Sequence, residues 1–241
     1  MMGADILNMA KSLRLTELAH GRFALDEENE HEQFLHRLLT SEIAAREKRA
    51  EIERIRKAYL PGYKTFDDFD TDFQKGVSPD QLELLAGLDW IDDLYNLVLI
   101  GPPGTGKTHL ALACANKAVR SGYKVFFSDM DELMHLLKSQ EISPRSAARI
   151  NWAHKCNLVV IDEVGYLPVT AVEANLFFGL ISNLYEKCSV IITSNKGFTE
   201  WADLLGDSVL ATALLDRLTH KCQVLNFEDE SWRLANRTQI F

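Results

Sequence analysis

Two different patterns of apolar and polar positions divide the chain. Between Glu30 and Tyr59 the sequence is rich in charge and lacks Gly and Pro. Its apolar residues mostly recur every three or four positions, at Phe34, Leu35, Leu38, Leu39, Ile43, Ile52 and Ile55. This spacing predicts an amphipathic helix, which Pro61-Gly62 would end. With a shorter helix predicted between Asp5 and Leu18, we expect a small α-helical amino-terminal domain over residues 1–62, with a role in interaction or assembly.

From Asn96 onward, short apolar runs alternate with helical stretches. The runs predict strands at Leu97–Ile100, Lys124–Ser128, Leu158–Asp162, Val190–Thr193 and Cys222–Leu225. Helices are predicted at Lys107–Ser121, Met130–Lys138, Thr170–Lys187 and Ala211–His220. Short apolar strands separated by helices are typical of a parallel sheet that is buried on both faces. We therefore predict an α/β domain over residues 63–241, in which residues 63–95 form a connector.

A phosphate-binding motif follows the first predicted strand. It matches G-x-x-x-x-G-K-[ST] at each fixed position and consists of Gly101, Pro102, Pro103, Gly104, Thr105, Gly106, Lys107 and Thr108. The glycines let the loop curl so that backbone N–H groups point at phosphate oxygens, and the next helix offers its N-terminus to the anion. Lys107 supplies a positive charge, and Thr108 supplies a hydroxyl for Mg²⁺. This phosphate loop, with the adjacent His109, predicts a site for the triphosphate of ATP.

Two acids end the third predicted strand, where Leu158 to Ile161 lead into Asp162 and Glu163. In phosphate-loop enzymes the first such acid helps to hold Mg²⁺. The second can orient and polarise the attacking water as a general base. We predict these roles for Asp162, together with Thr108 as a metal ligand, and for Glu163.

Two further residues are candidates for catalysis. Asn195 follows the fourth predicted strand, and ligands of open parallel sheets sit outside the carboxyl ends of the strands. We therefore expect Asn195 to contact the γ-phosphate or the attacking water. Arg217 lies near the end of a Leu- and Ala-rich helix. In an oligomeric ATPase such an arginine can reach the γ-phosphate of a neighbouring subunit, although a helix-dipole role is the alternative.

Composition narrows the classes of protein that need to be considered. The net charge of −9 argues against a broadly basic surface but allows a local basic groove. The four cysteines are far apart, which fits neither a zinc site nor a disulfide framework. The start, Met1 to Asp5, has no long apolar run, and no stretch is long enough to span a membrane. We therefore expect a cytoplasmic protein.

The motifs together resemble a known family. The order of phosphate loop, Asp-Glu strand, Thr-Ser-Asn strand and late arginine is similar to AAA+ ATPases. Residues 106–111, 161–168 and 193–195 resemble the IstB-type ATPases of bacterial insertion-sequence transposition, and so do Ala58 to Pro61 and Lys64 to Asp70. The resemblance implies an AAA+ domain that binds ATP and Mg²⁺, with Asn195 as a sensor and Arg217 as a finger supplied in trans. It leaves open whether Arg233 is a second sensor.

The resemblance also implies partners. IstB-type proteins assemble as oligomers on duplex DNA, select target DNA and recruit or stimulate a transposase. Candidate DNA contacts are Lys138, Arg145, Arg149 and Lys155, although a basic segment of this kind is more often a solvated helix face. A DnaC-type helicase loader is the alternative, since it shares the ATPase core. A phosphate-loop kinase and a nucleotide-binding interaction protein without turnover are more distant alternatives.

Overall fold

A computed structural model describes residues 4–20, 29–166, 168–228 and 231–235. These residues divide into two compact units, one ending at Glu53 and the other beginning at Arg54. The predicted domain boundary at residue 62 stays a prediction. Leu167 and Met1 to Gly3, which were used in the sequence analysis, lie outside the described residues.

The first unit is helical. It contains α1 (Ala4–Ser12), α2 (Thr16–Ala19) and most of α3 (Asn29–Ala58). Ile6, Leu13 and Leu39 form its buried cluster. Phe34 and Leu38 on the predicted apolar stripe of α3 are exposed within the described part of the chain. The amphipathic helix was thus placed to within one residue at each end, although only part of its stripe is buried.

The second unit is a three-layer α/β structure. Its strands are β1 (Asn96–Ile100), β2 (Val125–Asp129), β3 (Leu158–Val164), β4 (Ser189–Ser194) and β5 (Cys222–Asn226). All strand pairs are parallel, in the order β2-β3-β4-β1-β5. Alternate residues of the central strands enter two separate apolar cores, one on each face. This arrangement confirms the predicted fold class.

Helices cover both faces of the sheet. The longer ones are α6 (Lys107–Arg120), α7 (Met130–Ser139), α8 (Pro144–Ala153), α9 (Ala171–Leu184) and α11 (Ser208–Thr219). The shorter ones are α4 (Pro79–Gly87), α5 (Asp89–Asp92), a 3₁₀ turn at Phe198–Glu200, α10 (Trp201–Leu205) and α12 (Trp232–Ala235). Side-chain caps fix several starts: Asp129 accepts from the backbone N–H of Glu132 at 2.7 Å, and Thr170 forms a capping box with Glu173.

The predicted connector is an integral part of the second unit. It contains α4 and α5, and its residues Phe69, Val77 and Leu85 are buried in the core that lies under α6. Gly76 packs so closely that an added Cβ would lie 2.6 Å from the carbonyl oxygen of Asn226. The connector therefore forms one wall of the region around the phosphate loop.

Candidate active site

The phosphate loop lies where the sheet brings several strand ends together. It connects β1 to α6, and the N–H of Gly101 donates to the carbonyl of Ser194 at the end of β4 (3.1 Å). Gly101 has a φ of 153°, and a Cβ there would lie 2.1 Å from the carbonyl oxygen of Phe227. Only glycine can satisfy both the conformation and the close approach. The loop is thus fixed against the ends of β4 and β5.

Lys107 starts α6 and is 9% exposed. Its ammonium donates to the carbonyl oxygens of Gly101 and Pro102 at 2.7 and 2.6 Å, which holds it at the mouth of the loop. Burial lowers the pKa of Lys107, and the negative charge of Asp162 opposes this effect. A cation that is held in low dielectric beside an anion site interacts strongly with phosphate oxygens.

Thr108 and Asp162 meet across the gap between α6 and β3. The Thr108 hydroxyl donates to Oδ1 of Asp162 at 3.0 Å, and the Thr193 hydroxyl from β4 donates to the same oxygen. Asp162 is 6% exposed. A hydroxyl beside a carboxylate is the all-oxygen donor set that Mg²⁺ accepts alongside substrate phosphates and water. These side chains therefore fit a Mg²⁺ ion, and Thr108 and Asp162 would hold it.

Glu163 sits beside this pair in a constrained conformation. Its φ is +61°, which is uncommon for a residue other than glycine, and its N–H donates to the Thr193 hydroxyl at 2.9 Å. Burial, followed by the charges of Asp162 and Asp129, raises the pKa of its carboxyl group. A raised pKa makes a carboxylate a better proton acceptor. The side chain lines a cavity of about 280 Å³ together with Asp129, Met134 and Tyr166.

Asn195 follows β4, next to the loop that leaves Glu163. An added Cβ on Gly165, two residues after Glu163, would lie 3.3 Å from Oδ1 of Asn195. Because β4 pairs with both β1 and β3, Asn195 lies between the phosphate loop and the acidic strand end. The role of Asn195 as a sensor stays a prediction.

Arg217 lies at the opposite edge of the sheet. It is in the last turn of α11, shortly before β5 begins, whereas the phosphate loop follows the end of β1. Parallel strands of five residues separate these edges by about 16 Å. The guanidinium donates to the carbonyl of Ala213 at 2.7 Å and lies over the ring of Phe178. Within one copy of the chain, Arg217 therefore does not belong to the site around Lys107.

The connector contributes contacts that the sequence motifs did not reveal. The ring of Phe69 lies against the phosphate loop, 3.1 Å from the position of a Cβ on Gly106. His109 packs edge-to-face on Phe69 and makes a 3.1 Å hydrogen bond between Nε2 and the carbonyl of Thr65. Burial lowers the pKa of His109, which favours the neutral ring. His109 thus joins the loop helix to the connector.

The segment 231–235 lies over the phosphate loop. The N–H of Trp232 donates to the carbonyl of Gly104 at 3.1 Å, and an added Cβ on Gly104 would lie 2.1 Å from Oγ of Ser231. Burial is the main cause of the lowered pKa of Lys107 and of the raised pKa of Glu163; the charge of Arg233 adds to the first shift and partly offsets the second. Arg233 is therefore within electrostatic range of the site, which is the property expected of a second sensor.

The four candidate DNA contacts have different surroundings. Lys138 donates to Glu173 at 2.7 Å, and this pairing helps to lower the pKa of Glu173 to about 2. Arg149 is buried and donates to Glu132 and to the carbonyl of Phe127. Arg145 and Lys155 are exposed and line a common cleft. Of the four candidates, Arg145 and Lys155 are the two that present their charge to solvent and have no carboxylate partner among the described residues.

Two positioning residues were missed by the sequence analysis. Thr193 contacts both Asp162 and the N–H of Glu163, and Asp129 at the end of β2 influences the pKa of Glu163. The register pairs Asp129 with Asp162. Both residues lie at the carboxyl ends of apolar runs, and this pattern is visible in the sequence. The order of the strands was needed to show which strand ends are neighbours.

The fold and the site define the class of the protein: it is a P-loop protein of the AAA+ type, with a nucleotide cradle and two acids at the carboxyl edge of a parallel sheet. The chain belongs to the family of IstB-like ATP-binding proteins, which it matches over residues 8–240. It is 41% identical over 214 residues to the IS21 ATP-binding protein of Pseudomonas aeruginosa, covering 89% of this chain and 81% of the relative. The predicted family is confirmed: the chain is an ATP-binding protein of the kind found in bacterial insertion sequences.

Solved structures support the same fold at lower identity. The DnaC helicase loader matches with a TM-score of 0.56 and 20% identity, covering 68% of this chain and 96% of the loader chain. The replication initiator DnaA bound to AMPPCP and single-stranded DNA matches with a TM-score of 0.55 and 23% identity, over 71% of this chain and 52% of DnaA. At these identities the likeness concerns the AAA+ fold. In the described part of the chain, no helix is long and apolar enough to cross a bilayer.

Proposed function

We propose that the protein is a Mg²⁺-dependent ATPase that assembles on duplex DNA, selects target DNA and recruits or stimulates the transposase of its insertion sequence. The observation that carries the proposal is the division of the catalytic residues between two edges of the sheet. Lys107, Asp162 and Glu163 lie at the carboxyl edge, while Arg217 lies at the other edge. A second copy of the chain is needed to bring Arg217 to the phosphates.

The residues around the loop have distinct roles in this proposal. Lys107 and the backbone N–H groups of the loop bind and orient the outer phosphates. Glu163 accepts a proton from the attacking water, and Asn195 positions that water against the γ-phosphate. Mg²⁺, held by Thr108 and Asp162, would neutralise charge on the phosphate oxygens. Arg217 of a second copy stabilises the charge that develops in the transition state.

The proposal predicts assembly that depends on both nucleotide and DNA. In sedimentation with ATP and Mg²⁺, we expect a large assembly on duplex DNA and none with single strands of the same length. The transposase role is supported by family membership, since the relatives are proteins of insertion sequences. Assembly only on single-stranded DNA would instead favour a helicase loader, and a nucleotide-bound monomer that is indifferent to DNA would contradict both functions.

Arg217→Ala tests the role of the second copy. We expect it to retain ATP binding and to lose roughly 10³-fold in DNA-stimulated turnover, as arginine fingers typically do. The measurement is phosphate release with and without duplex DNA. Lys221→Ala is a control, because Lys221 is a cation at the same edge of the sheet.

Mixing two inactive variants distinguishes action in trans from action in cis. A Lys107→Ala subunit keeps its arginine, and an Arg217→Ala subunit keeps its phosphate loop. If the finger acts in trans, the mixture regains a measurable part of the DNA-stimulated turnover. A mixture as inactive as its components, or an Arg217→Ala protein with normal turnover, would rule the assignment out.

A further inference from the structure

A basic cleft lies between the end of α3 and one face of α8, within the second unit. Arg56, Lys57 and Tyr59 form one wall of this basic cleft, and Arg145, Trp152 and Lys155 form the other. Its volume is about 460 Å³. It is separate from the phosphate loop, and none of its lining residues belongs to the catalytic set.

The charge of the basic cleft is opposite to that of the whole chain. The chain has 26 basic and 35 acidic residues, yet the lining contains five lysines and arginines and no acid. Among the described residues, Lys57, Arg145 and Lys155 form no ion pair. Clustered cations around a concave surface focus a positive potential, which attracts an extended anion even when the net charge is negative.

The two walls are held rigidly by buried contacts. The floor of the basic cleft is Arg149, which is 5% exposed and donates to the carbonyl of Phe127 on β2 at 3.0 Å. The Nε1 of Trp152 donates to the carbonyl of Val125 on the same strand. On the other wall, Ala58 is fully buried in the core. The cations are therefore presented from a preorganised surface, which reduces the entropy lost on binding.

Aromatic rings connect the walls. The guanidinium of Arg149 lies 3.8 Å from the ring centroid of Tyr59, and the ammonium of Lys57 lies 5.1 Å from that of Trp152. The Nε of Arg149 is buried and makes no hydrogen bond to any described residue. The rings offer flat apolar surface between the charges, which suits the sugar of a nucleic acid placed between its phosphates.

The dimensions match a DNA backbone. Arg145, Trp152 and Lys155 follow one face of α8 and its C-terminal extension, and ten helical residues extend about 15 Å. One strand of B-DNA carries about four phosphates over that axial length. The basic cleft provides four solvent-facing positions for cations, two on each wall, with Arg149 beneath them.

We propose that the basic cleft binds the sugar–phosphate backbone of duplex DNA, with Lys57 and Lys155 as contacts from opposite walls. The inference rests on the proposed function and adds the site of contact. It assigns the end of α3 to DNA binding, which the sequence analysis did not. It gives Arg149 a positioning role under the contact surface, and it leaves Lys138 outside the site.

The test is the salt dependence of duplex binding, measured by fluorescence anisotropy with a labelled 20-bp duplex in the presence of ATP and Mg²⁺. The double variant K57Q/K155Q should bind any sequence roughly 10- to 100-fold more weakly near 0.1 M salt, because two phosphate contacts are lost. The slope of log affinity against log salt should become shallower by about 2. The charge-conserving variant K57R/K155R should restore most of the slope.

The control variant is K75Q/K187Q, which removes two exposed lysines of the same unit outside the basic cleft. Thermal melting of each variant checks that it is folded. If wild-type protein binds duplex DNA and K57Q/K155Q behaves like the control, the basic cleft is not the contact site, although the proposed function survives. Wild-type protein that fails to bind duplex DNA would overturn both. Loss of binding to single strands alone would overturn the assignment to duplex.

Discussion

Glu163→Gln is expected to bind ATP normally and to hydrolyse it about 10² to 10⁴ times more slowly, since general bases typically contribute a factor of this size. Glutamine has almost the same shape as glutamate, so the hydrogen bond from the N–H of Glu163 to Thr193 can persist. The amide, however, cannot accept a proton from water at neutral pH. Nucleotide binding by calorimetry and phosphate release with duplex DNA measure the two effects separately.

A neighbouring acid provides the control for this prediction. Asp131 lines the same cavity as Glu163 but lies in the first turn of α7 and not on a strand. Asp131→Asn should lower turnover by less than a few fold. Because hydrolysis is blocked, Glu163→Gln should also remain assembled on DNA for longer than wild type. Normal turnover in Glu163→Gln would remove the residue from its proposed role, and equal losses in both variants would indicate a general electrostatic effect of the cavity.

The chemistry of the phosphate loop could be predicted from the sequence because its requirements are local. The glycine spacing, Lys107 and Thr108 lie in eight consecutive residues, and a strand and a helix flank them. The strands could be predicted for a similar reason. Each is a short apolar run, β1 to β4 are largely buried on both faces, and predicted and observed strand bounds differ by at most two residues.

The features that could not be predicted are those that depend on which strands and helices are neighbours in the fold. The sequence contains Asp129, Thr193 and Glu163 on three different strands, and only the order β2-β3-β4 makes them adjacent. The same limit explains the basic cleft. Lys57 and Lys155 are far apart along the chain, and no local pattern shows that α8 faces the end of α3.

Arg149 is a basic residue of the type that contacts DNA, but the structure places it in a buried environment that the sequence did not predict. It belongs to a basic segment that was consistent with DNA contact, but periodicity alone does not state which side of a short helix faces the sheet. The structure turns Arg149 inward, where Glu132 and the carbonyl of Phe127 hold its guanidinium. Arg145 and Lys155 remain on the outer face, and so the DNA hypothesis now depends on them and on the end of α3.

Lys107→Ala is expected to weaken ATP binding by at least 100-fold and to abolish turnover. The ammonium of Lys107 lies at the mouth of the phosphate loop, 2.7 and 2.6 Å from the carbonyls of Gly101 and Pro102, and alanine leaves the outer phosphates without that charge. Lys107→Arg should not rescue binding, because the planar guanidinium is larger and Lys107 is only 9% exposed. Equilibrium titration with a fluorescent ATP analogue measures the loss.

Thermal unfolding separates this loss of binding from a loss of fold. Burial lowers the pKa of Lys107, so folding disfavours its charged form and the ammonium is costly to bury in the absence of nucleotide. Lys107→Ala removes this burial cost but also loses two hydrogen bonds, and the two effects on stability oppose each other. The variant should therefore unfold within a few degrees of wild type when no nucleotide is added. At 100 times its Kd, ATP stabilises a protein by about 2.7 kcal/mol. For a unit of this size, that should raise the wild-type midpoint by roughly 5–10 °C and the Lys107→Ala midpoint by no more than about 2 °C. An equal rise in both proteins would show that Lys107 does not hold the nucleotide.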